Sequence, residues 1–335
     1  MKTEVQNSKQ RIVLAGGSGF LGSILARYFA QREWEVFVLT REAGKRGGHE
    51  KAQEGTKIEV FWDGRTLGAW TEVLEGARAV VNLAGKSVNC RYNARNRKEI
   101  LESRLNPTAI LGQAVSRCSN PPKAWLNAAT ATIYKHAIEQ AMDESCTDFS
   151  STPAAKDAFS VHVSREWERA FENAATPGTR KVALRISMVL GIEEGTVFRV
   201  LRGLVTSGLG GKMGSGKQYV SWIHEADFCR AVDWILNRPE FSGPVNIVAP
   251  APVPNREMMK IFREVEGRRF GLPATEWMLE FGAFFMRTET ELMLKSRRVI
   301  PARLLASGFQ FQFSQLRPAL EDLEKRLEDK RSKNQ

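Results

Sequence analysis

A short apolar strand, Ile12 to Ala15, runs into glycines at Gly16, Gly17, Gly19 and Gly22, and this turn opens directly into an amphipathic helix. The spacing G-x-G-x-x-G holds at Gly17, Gly19 and Gly22, and G-x-x-G-x-x-G holds at Gly16, Gly19 and Gly22. Glycine is needed there because the backbone turns tightly and must approach a pyrophosphate without a Cβ in the way. The helix that follows offers unpaired N–H groups and the positive end of its dipole to phosphate. On its own such a pattern also fits an incidental turn, but strand–turn–helix is the context that marks a dinucleotide site. Gly16, Gly19, Phe20, Leu21 and Gly22 are the expected contacts.

The identity of the dinucleotide depends on the end of the second strand, Glu35 to Leu39. An NAD-specific site wants a carboxylate there, roughly 20 residues past the glycines, for the ribose 2′-OH. This chain has Thr40 and Arg41, with Lys45 and Arg46 close behind. A guanidinium suits a 2′-phosphate in charge and in its fork of donors. The alternative is a solvated basic loop, and Glu42 next door dilutes the positive field. The residues favour NADP(H) over NAD(H).

Further strand patterns cover Lys57 to Trp62, Ala79 to Leu83, Ala124 to Ala128 and Val182 to Ile186, with helical segments between them. Strands alternating with helices imply an α/β fold, a Rossmann doubly wound parallel sheet with right-handed crossovers. Ligands in such sheets bind beyond the carboxyl ends of the strands. Asp63, Leu83, Ala84, Gly85 and Ser187 therefore join Thr40 and Arg41 as expected cofactor contacts. Beyond Ser187 the pattern changes. Gly208 to Gly216 is glycine-rich, Val220 to His224 reads as a short strand, Gly243 to Ile247 as a last one, and Asn255 to Leu327 as nearly all helical. The expected organisation is an NADP-binding Rossmann domain over 1–186, to which 221–249 returns. A smaller, mostly helical C-terminal lobe over 187–335 is expected to take the substrate.

Hydrophobic content of 42% and charged content of 26% are ordinary for a globular protein of 335 residues. The net charge of +11 raises nucleic-acid or anionic-membrane binding as options. The cations are spread along the chain, no nucleic-acid motif is present, and Glu321 to Lys333 alternates in sign as a solvated helix end does. No apolar run is long enough to span a bilayer. The expectation is no nucleic acid and no membrane. The cysteines, Cys90, Cys118, Cys146 and Cys229, are scattered without a C-x-x-C pair, which argues against a disulfide framework or a zinc site. A reducing cytoplasmic location fits.

The glycine motif, NLAG (Asn82 to Gly85), NAATATIY (Asn127 to Tyr134), LRISMVLG (Leu184 to Gly191) and GSGKQYVSWIHEAD (Gly214 to Asp227) together resemble the extended short-chain dehydrogenase/reductase superfamily. RKEILESR (Arg97 to Arg104), SREWE (Ser164 to Glu168) and RVIPARLLASGFQF (Arg298 to Phe311) are similar to its atypical "epimerase family" branch, which carries a short C-terminal helical domain. The resemblance spans nearly the whole chain. It implies NADP binding and a sugar-nucleotide epimerase or reductase activity.

The resemblance also implies a Tyr-x-x-x-Lys pair on a helix. There the lysine holds the nicotinamide ribose and lowers the tyrosine pKa so that the phenol passes a proton. Counting back from Glu168, those positions are Ser160 and Ser164, so both groups are gone. Thr130 stands where a Ser or Thr orients the substrate carbonyl. Tyr134 is the candidate acid, followed by Lys135 where glycine is usual; otherwise it packs the strand–loop corner. His162, two residues from each missing position, points about 200° round the helix and reads as a surface or packing residue.

Relatives that bind nucleoside-diphosphate sugars carry an arginine for the pyrophosphate where this chain has Val220. Valine cannot make a charged bidentate contact, so a nucleotide-sugar substrate is disfavoured. Gln218 and Trp222 remain as substrate candidates beside His224; Trp222 and His224 otherwise pack the lobe junction, and Asp227 caps the next helix. Arg91, Arg95 and Lys98, at i, i+4 and i+7, would put three cations on one helix face for an anionic small-molecule substrate. The bland alternative is a solvated face paired with Glu99 and Glu102.

Two functions fit these residues. One is NADP(H)-dependent hydride transfer, or epimerisation through a transient keto form, on a small molecule. The other is a binding protein that loads NADP(H) and signals without turnover, favoured by the loss of both catalytic side chains.

Overall fold

The computed structural model describes residues 9–42, 56–275, 277–278, 289 and 291–333. Lys45, Arg46 and most of the apolar stretch from Met278 to Met286 lie outside the described residues. The strands are β1 (Arg11–Ala15), β2 (Glu35–Thr40), β3 (Thr56–Phe61), β4 (Ala79–Asn82), β5 (Ala124–Thr130), β6 (Arg180–Ile186), β7 (Met188–Leu190), β8 (Tyr219–Val220), β9 (Trp222–His224), β10 (Gly243–Ile247) and β11 (Val253–Pro254). Seven of them form one sheet in the order β10-β6-β5-β4-β1-β2-β3. β1 runs parallel to β2, with Ile12 opposite Val36, and to β4, with Ile12 opposite Ala79. Every residue from Ile12 to Ala15 and from Ala79 to Val81 is fully buried. A sheet apolar on both faces is what a parallel arrangement produces. The order reverses at β1, since β2 lies on one side of it and β4 on the other. That places a topological switch point at its carboxyl end, directly below the glycine turn.

The helices are α1 (Phe20–Ala30), α2 (Ala94–Ser116), α3 (Ala158–Glu172), α4 (Val197–Thr206), α5 (Glu225–Leu236) and α6 (Asn255–Val265). Single turns follow at Glu291–Leu294 and Ala302–Ala306, and a last long helix covers Leu316–Ser332. The chain divides into two compact units, one made of Met1–Lys86, Glu102–Ala128 and Arg169–Ala183, the other of Ser87–Leu101, Ala129–Glu168 and Leu184–Gln335. In the first, α1 packs on β1, β2 and β3. In the second, Leu316, Ala319, Leu320, Leu323 and Leu327 form one buried stripe of the last helix, against Met258, Met259 and Phe262 of α6. Their spacing is that of a single helix face.

Several expectations need correction in the second unit. The stretch from Asn255 to Leu327 is not continuously helical. After α6 the backbone turns to pair with residues 208–214, Leu272 N–H donating to Gly208 O at 2.8 Å and Gly211 N–H to Leu272 O at 3.0 Å. Val220 to His224 is not one strand. β8 pairs antiparallel with β11, β9 pairs parallel with β7, and Ser221 between them donates its hydroxyl to Arg297 O at 2.7 Å. Asp227 does not cap α5. That role falls to His224, whose Nδ1 accepts from Ala226 N–H at 3.1 Å, while Asp227 accepts from the N–H groups of Gln312 and Phe313. An imidazole with Nδ1 as acceptor carries its proton on Nε2, which lies 3.1 Å from Asp322 Oδ2.

Within the glycine turn, a Cβ on Gly22 would sit 2.3 Å from Gly17 Cα, a backbone atom that cannot step aside. Overpacking of this kind costs about 1–3 kcal/mol, and more when backbone must shift. Gly22→Ala should therefore lower the urea-unfolding midpoint by an amount worth at least about 2 kcal/mol. An unchanged midpoint would contradict this packing.

Candidate functional site

The first unit builds a cradle from the ends of β1, β2 and β4. Gly16 takes a left-handed φ of 73°, and a Cβ there would lie 2.7 Å from Ala84 Cα. Gly17 is closed by Val38 Cγ1 at 2.9 Å, and Gly22 by Gly17 itself. Gly19 differs. A Cβ on it would meet no protein atom closer than Gly16 O, at 3.8 Å. Packing against the neighbouring chain therefore does not demand a glycine at this position. Gly19 is also the N-cap of α1 and brings no side-chain oxygen to the first turn. The N–H groups of Phe20, Leu21 and Gly22 therefore belong to an uncapped helix start, where a phosphate is favoured. These residues fit the pyrophosphate of a dinucleotide.

The other first-unit candidates lie at or just beyond the ends of β2, β3 and β4. Leu83 N–H donates to Ala15 O at 2.8 Å, and Ala84 N–H to Asn82 Oδ1 at 3.1 Å. Asn82 is fully buried and donates to Thr108 Oγ1 and Asn127 Oδ1, which fixes the end of β4. Gly85 lies where a Cβ would be 3.3 Å from the Arg104 guanidinium carbon. Thr40 is buried and its hydroxyl accepts from Glu42 N–H at 3.3 Å, while Arg41 just beyond β2 is exposed. Asp63 holds its own turn, accepting from Thr66 N–H at 2.9 Å and Arg65 N–H at 2.8 Å. The Thr66 backbone N–H is the main reason its carboxyl lies below the usual carboxylate range.

The second unit holds Thr130, Tyr134 and Ser187. Thr130 ends β5, and its hydroxyl accepts from Thr132 N–H at 3.1 Å. Ser187 is half-buried, with its hydroxyl 3.4 Å from Ile247 O. Tyr134 is not placed as a free acid. It is 1% exposed, its phenol donates to Asn246 Oδ1 at 2.9 Å and accepts from Arg185 Nη1 at 2.9 Å, and burial pushes its pKa up to about 12. Arg185 is itself gripped by both carboxylate oxygens of Glu168 at 2.8 Å. The tyrosine is a member of a buried network that closes the strand corner.

The substrate candidates are likewise dispersed. Trp222 is fully buried and its indole N–H donates to Ala251 O at 3.0 Å. Gln218 is 3% exposed and spends its amide on Met213 O and Met293 O. Arg91, Arg95 and Lys98 do not share a helix face. Asn93 caps Asn96 N–H at 2.9 Å, so α2 begins at Ala94 and Arg91 precedes it. Arg91 reaches Glu289 at 3.7 Å, and Arg95 pairs with Glu99 at 2.8 Å.

Sequence reasoning missed a buried charged cluster in this unit. Lys295 and Asp157, both side chains 0% exposed, pair at 2.7 Å, and Lys295 Nζ also donates to Thr132 O at 2.7 Å. Arg297 Nε donates to Thr132 Oγ1 at 3.2 Å, and Ser160 donates to Glu291 Oε2 at 2.5 Å. Burial pushes the Lys295 pKa down and the Glu291 pKa up. No local pattern pairs positions so distant in sequence. The one available signal was the charged residues between the apolar residues of Glu291 to Arg297.

Residues 12–248 match the NAD dependent epimerase/dehydratase family, and residues 274–323 match a domain of unknown function, DUF1731. The human epimerase family protein SDR39U1 is 30% identical over 318 residues, covering 93% of this chain and 99% of that protein. The epimerase family protein YfhF of Bacillus subtilis is 28% identical, covering 93% and 97%. A crystal structure of human SDR39U1 (isoform 2) with NADPH superposes with a TM-score of 0.79 at 30% identity, covering 94% of this chain and 99% of that one. Glycine cradle, sheet order and these matches agree: the chain belongs to the NAD dependent epimerase/dehydratase family.

Proposed function

We propose that this chain binds NADP(H) and reduces a carbonyl, or epimerises a carbinol through a transient keto form, on a small molecule. The observation that carries the cofactor half is Gly19, open on the side where protein packing demands nothing, at the uncapped start of α1. The human relative crystallised with NADPH supports the same reading. Gly16, Gly19, Phe20, Leu21 and Gly22 hold the pyrophosphate; Thr40 and Arg41 take the 2′-phosphate; Asp63, Leu83, Ala84, Gly85 and Ser187 line the rest. NADP(H) supplies or accepts a hydride when bound. Thr130 orients the substrate oxygen from the end of β5. Val220 leaves no guanidinium at that position for a sugar-nucleotide pyrophosphate, which disfavours a nucleotide-sugar substrate.

A second reading is favoured by one observation. Ser160 and Ser164 occupy the positions of the missing tyrosine and lysine, and Ser164 turns its hydroxyl back onto Ser160 O at 2.6 Å. In that reading the chain senses NADP(H) without turnover.

Calorimetric titration separates the parts. Gly19→Ala should leave the unfolding midpoint within error of wild type yet weaken NADPH binding by at least about 10-fold, since its new methyl faces the ligand and not the core. Arg41→Asp should weaken NADPH by at least about 10-fold more than NADH. Equal losses for the two nucleotides would refute the 2′-phosphate role. NADPH that binds tightly but is oxidised with none of a panel of aldehydes, ketones and dicarbonyls would decide for the sensing reading.

A further inference from the structure

The first unit lays a guanidinium against the wall of the glycine cradle. We propose that Arg104 of α2 is the cation that holds the pyrophosphate of the dinucleotide, beside N–H groups that carry only partial charge. This rests on the NADP(H) reading above and adds a binding residue to it.

The geometry at Gly85 is the first support. A Cβ there would stand 3.3 Å from Arg104 Cζ and 3.5 Å from both Nη1 and Nη2, its three nearest atoms beyond the adjoining residues. A central carbon closer than its nitrogens is the signature of a flat plate met face-on. Gly85 does not take a left-handed φ, so its backbone conformation does not call for glycine. The missing side chain makes room for the guanidinium instead.

Position is the second support. Gly85 adjoins Ala84, and Ala84 Cα lies 2.7 Å from where a Cβ on Gly16 would stand. Gly16, Ala84, Gly85 and the guanidinium thus follow one another from the glycine turn outward. Charge is the third. Residues 16–22 read Gly-Gly-Ser-Gly-Phe-Leu-Gly and contain no cation. A helix start supplies only about half an elementary charge, whereas the pyrophosphate of a dinucleotide is a dianion.

The loop that carries Gly85 is also fastened by bonds that do not involve the guanidinium. Lys86 N–H donates to Ser103 Oγ at 2.8 Å, and Asn82 donates to Thr108 Oγ1 at 3.2 Å. Thr108 in turn donates its hydroxyl to Arg104 O at 2.8 Å, one helical turn back. These bonds tie α2 to the end of β4. Arg104 Nη1 then donates to Lys86 O at 3.2 Å, which sets the orientation of the plate. A planar fork held in this way matches paired phosphate oxygens and loses less freedom on binding them than a lysine would.

The test titrates the full-length protein calorimetrically with three ligands. NADPH is the first. The second, 2′-phospho-ADP-ribose, keeps the pyrophosphate and lacks nicotinamide; the third, 2′-AMP, lacks the pyrophosphate. Arg104→Gln should weaken NADPH and 2′-phospho-ADP-ribose by at least about 10-fold each, and 2′-AMP by no more than about 2-fold. Arg104→Lys keeps the charge without the fork and should fall between wild type and Arg104→Gln. If Arg104→Gln does not fold, Gly85→Ala gives the same comparison, because its methyl displaces the guanidinium. Equal losses for all three ligands would mean that Arg104 only shapes the loop, and would overturn the proposal. Unchanged NADPH affinity, a loss confined to NADPH, or Arg104→Lys binding no better than Arg104→Gln would overturn it as well. Wild type that binds neither NADPH nor 2′-phospho-ADP-ribose would overturn the cofactor reading and the role of Arg104 together.

Discussion

The contact between Gly22 and Gly17 governs the first unit. With no Cβ on Gly22, the first turn of α1 lies directly against the chain leaving β1, where any side chain would fall 2.3 Å from backbone. That approach aims the start of the helix over the carboxyl end of β1, at the point where the sheet order reverses. Gly16, at a left-handed φ and with Ala84 too close to admit a Cβ, forms the other wall. The outcome is a fixed row of N–H donors with a dipole behind them, a field that favours phosphate before any side chain contributes.

The second unit is organised by buried charge. Arg185 with Glu168 and Lys295 with Asp157 are both nearly or wholly removed from water. Buried pairs of this kind add little net stability, but deleting one partner strands the other at a penalty of about 3–5 kcal/mol. Their effect is to fix geometry. Arg185 orients the Tyr134 phenol toward Asn246, and Lys295 and Arg297 hold both the carbonyl and the hydroxyl of Thr132. The end of β5, where Thr130 lies, is thus set by hydrogen bonds from charged residues far along the chain.

The parts of the molecule legible in the sequence are those whose reason is local. The glycines, the apolar strands and Arg41 at the end of β2 each follow from spacing within a few residues. Residues whose role depends on distant partners were not legible. Tyr134 reads as a tyrosine at a strand end, and only the structure places Arg185 and Asn246 on its hydroxyl. Trp222 and Gln218 carry polar groups in a suggestive motif, yet Ala251, Met213 and Met293 accept those bonds internally. Arg91, Arg95 and Lys98 have helical spacing, but Asn93 starts the helix too late for the first of them. Asp227 resembles a cap, and the loop at Gln312 and Phe313 takes its carboxylate instead.

The glycine turn and the start of α1 are proposed to hold the phosphates of NADP(H). Amide hydrogen exchange read residue by residue across 16–30, with and without saturating NADPH, tests this most directly. Exchange should slow on NADPH addition at Gly19, Phe20, Leu21 and Gly22. Unchanged exchange at those four amides, in protein shown by other means to have bound NADPH, would contradict it.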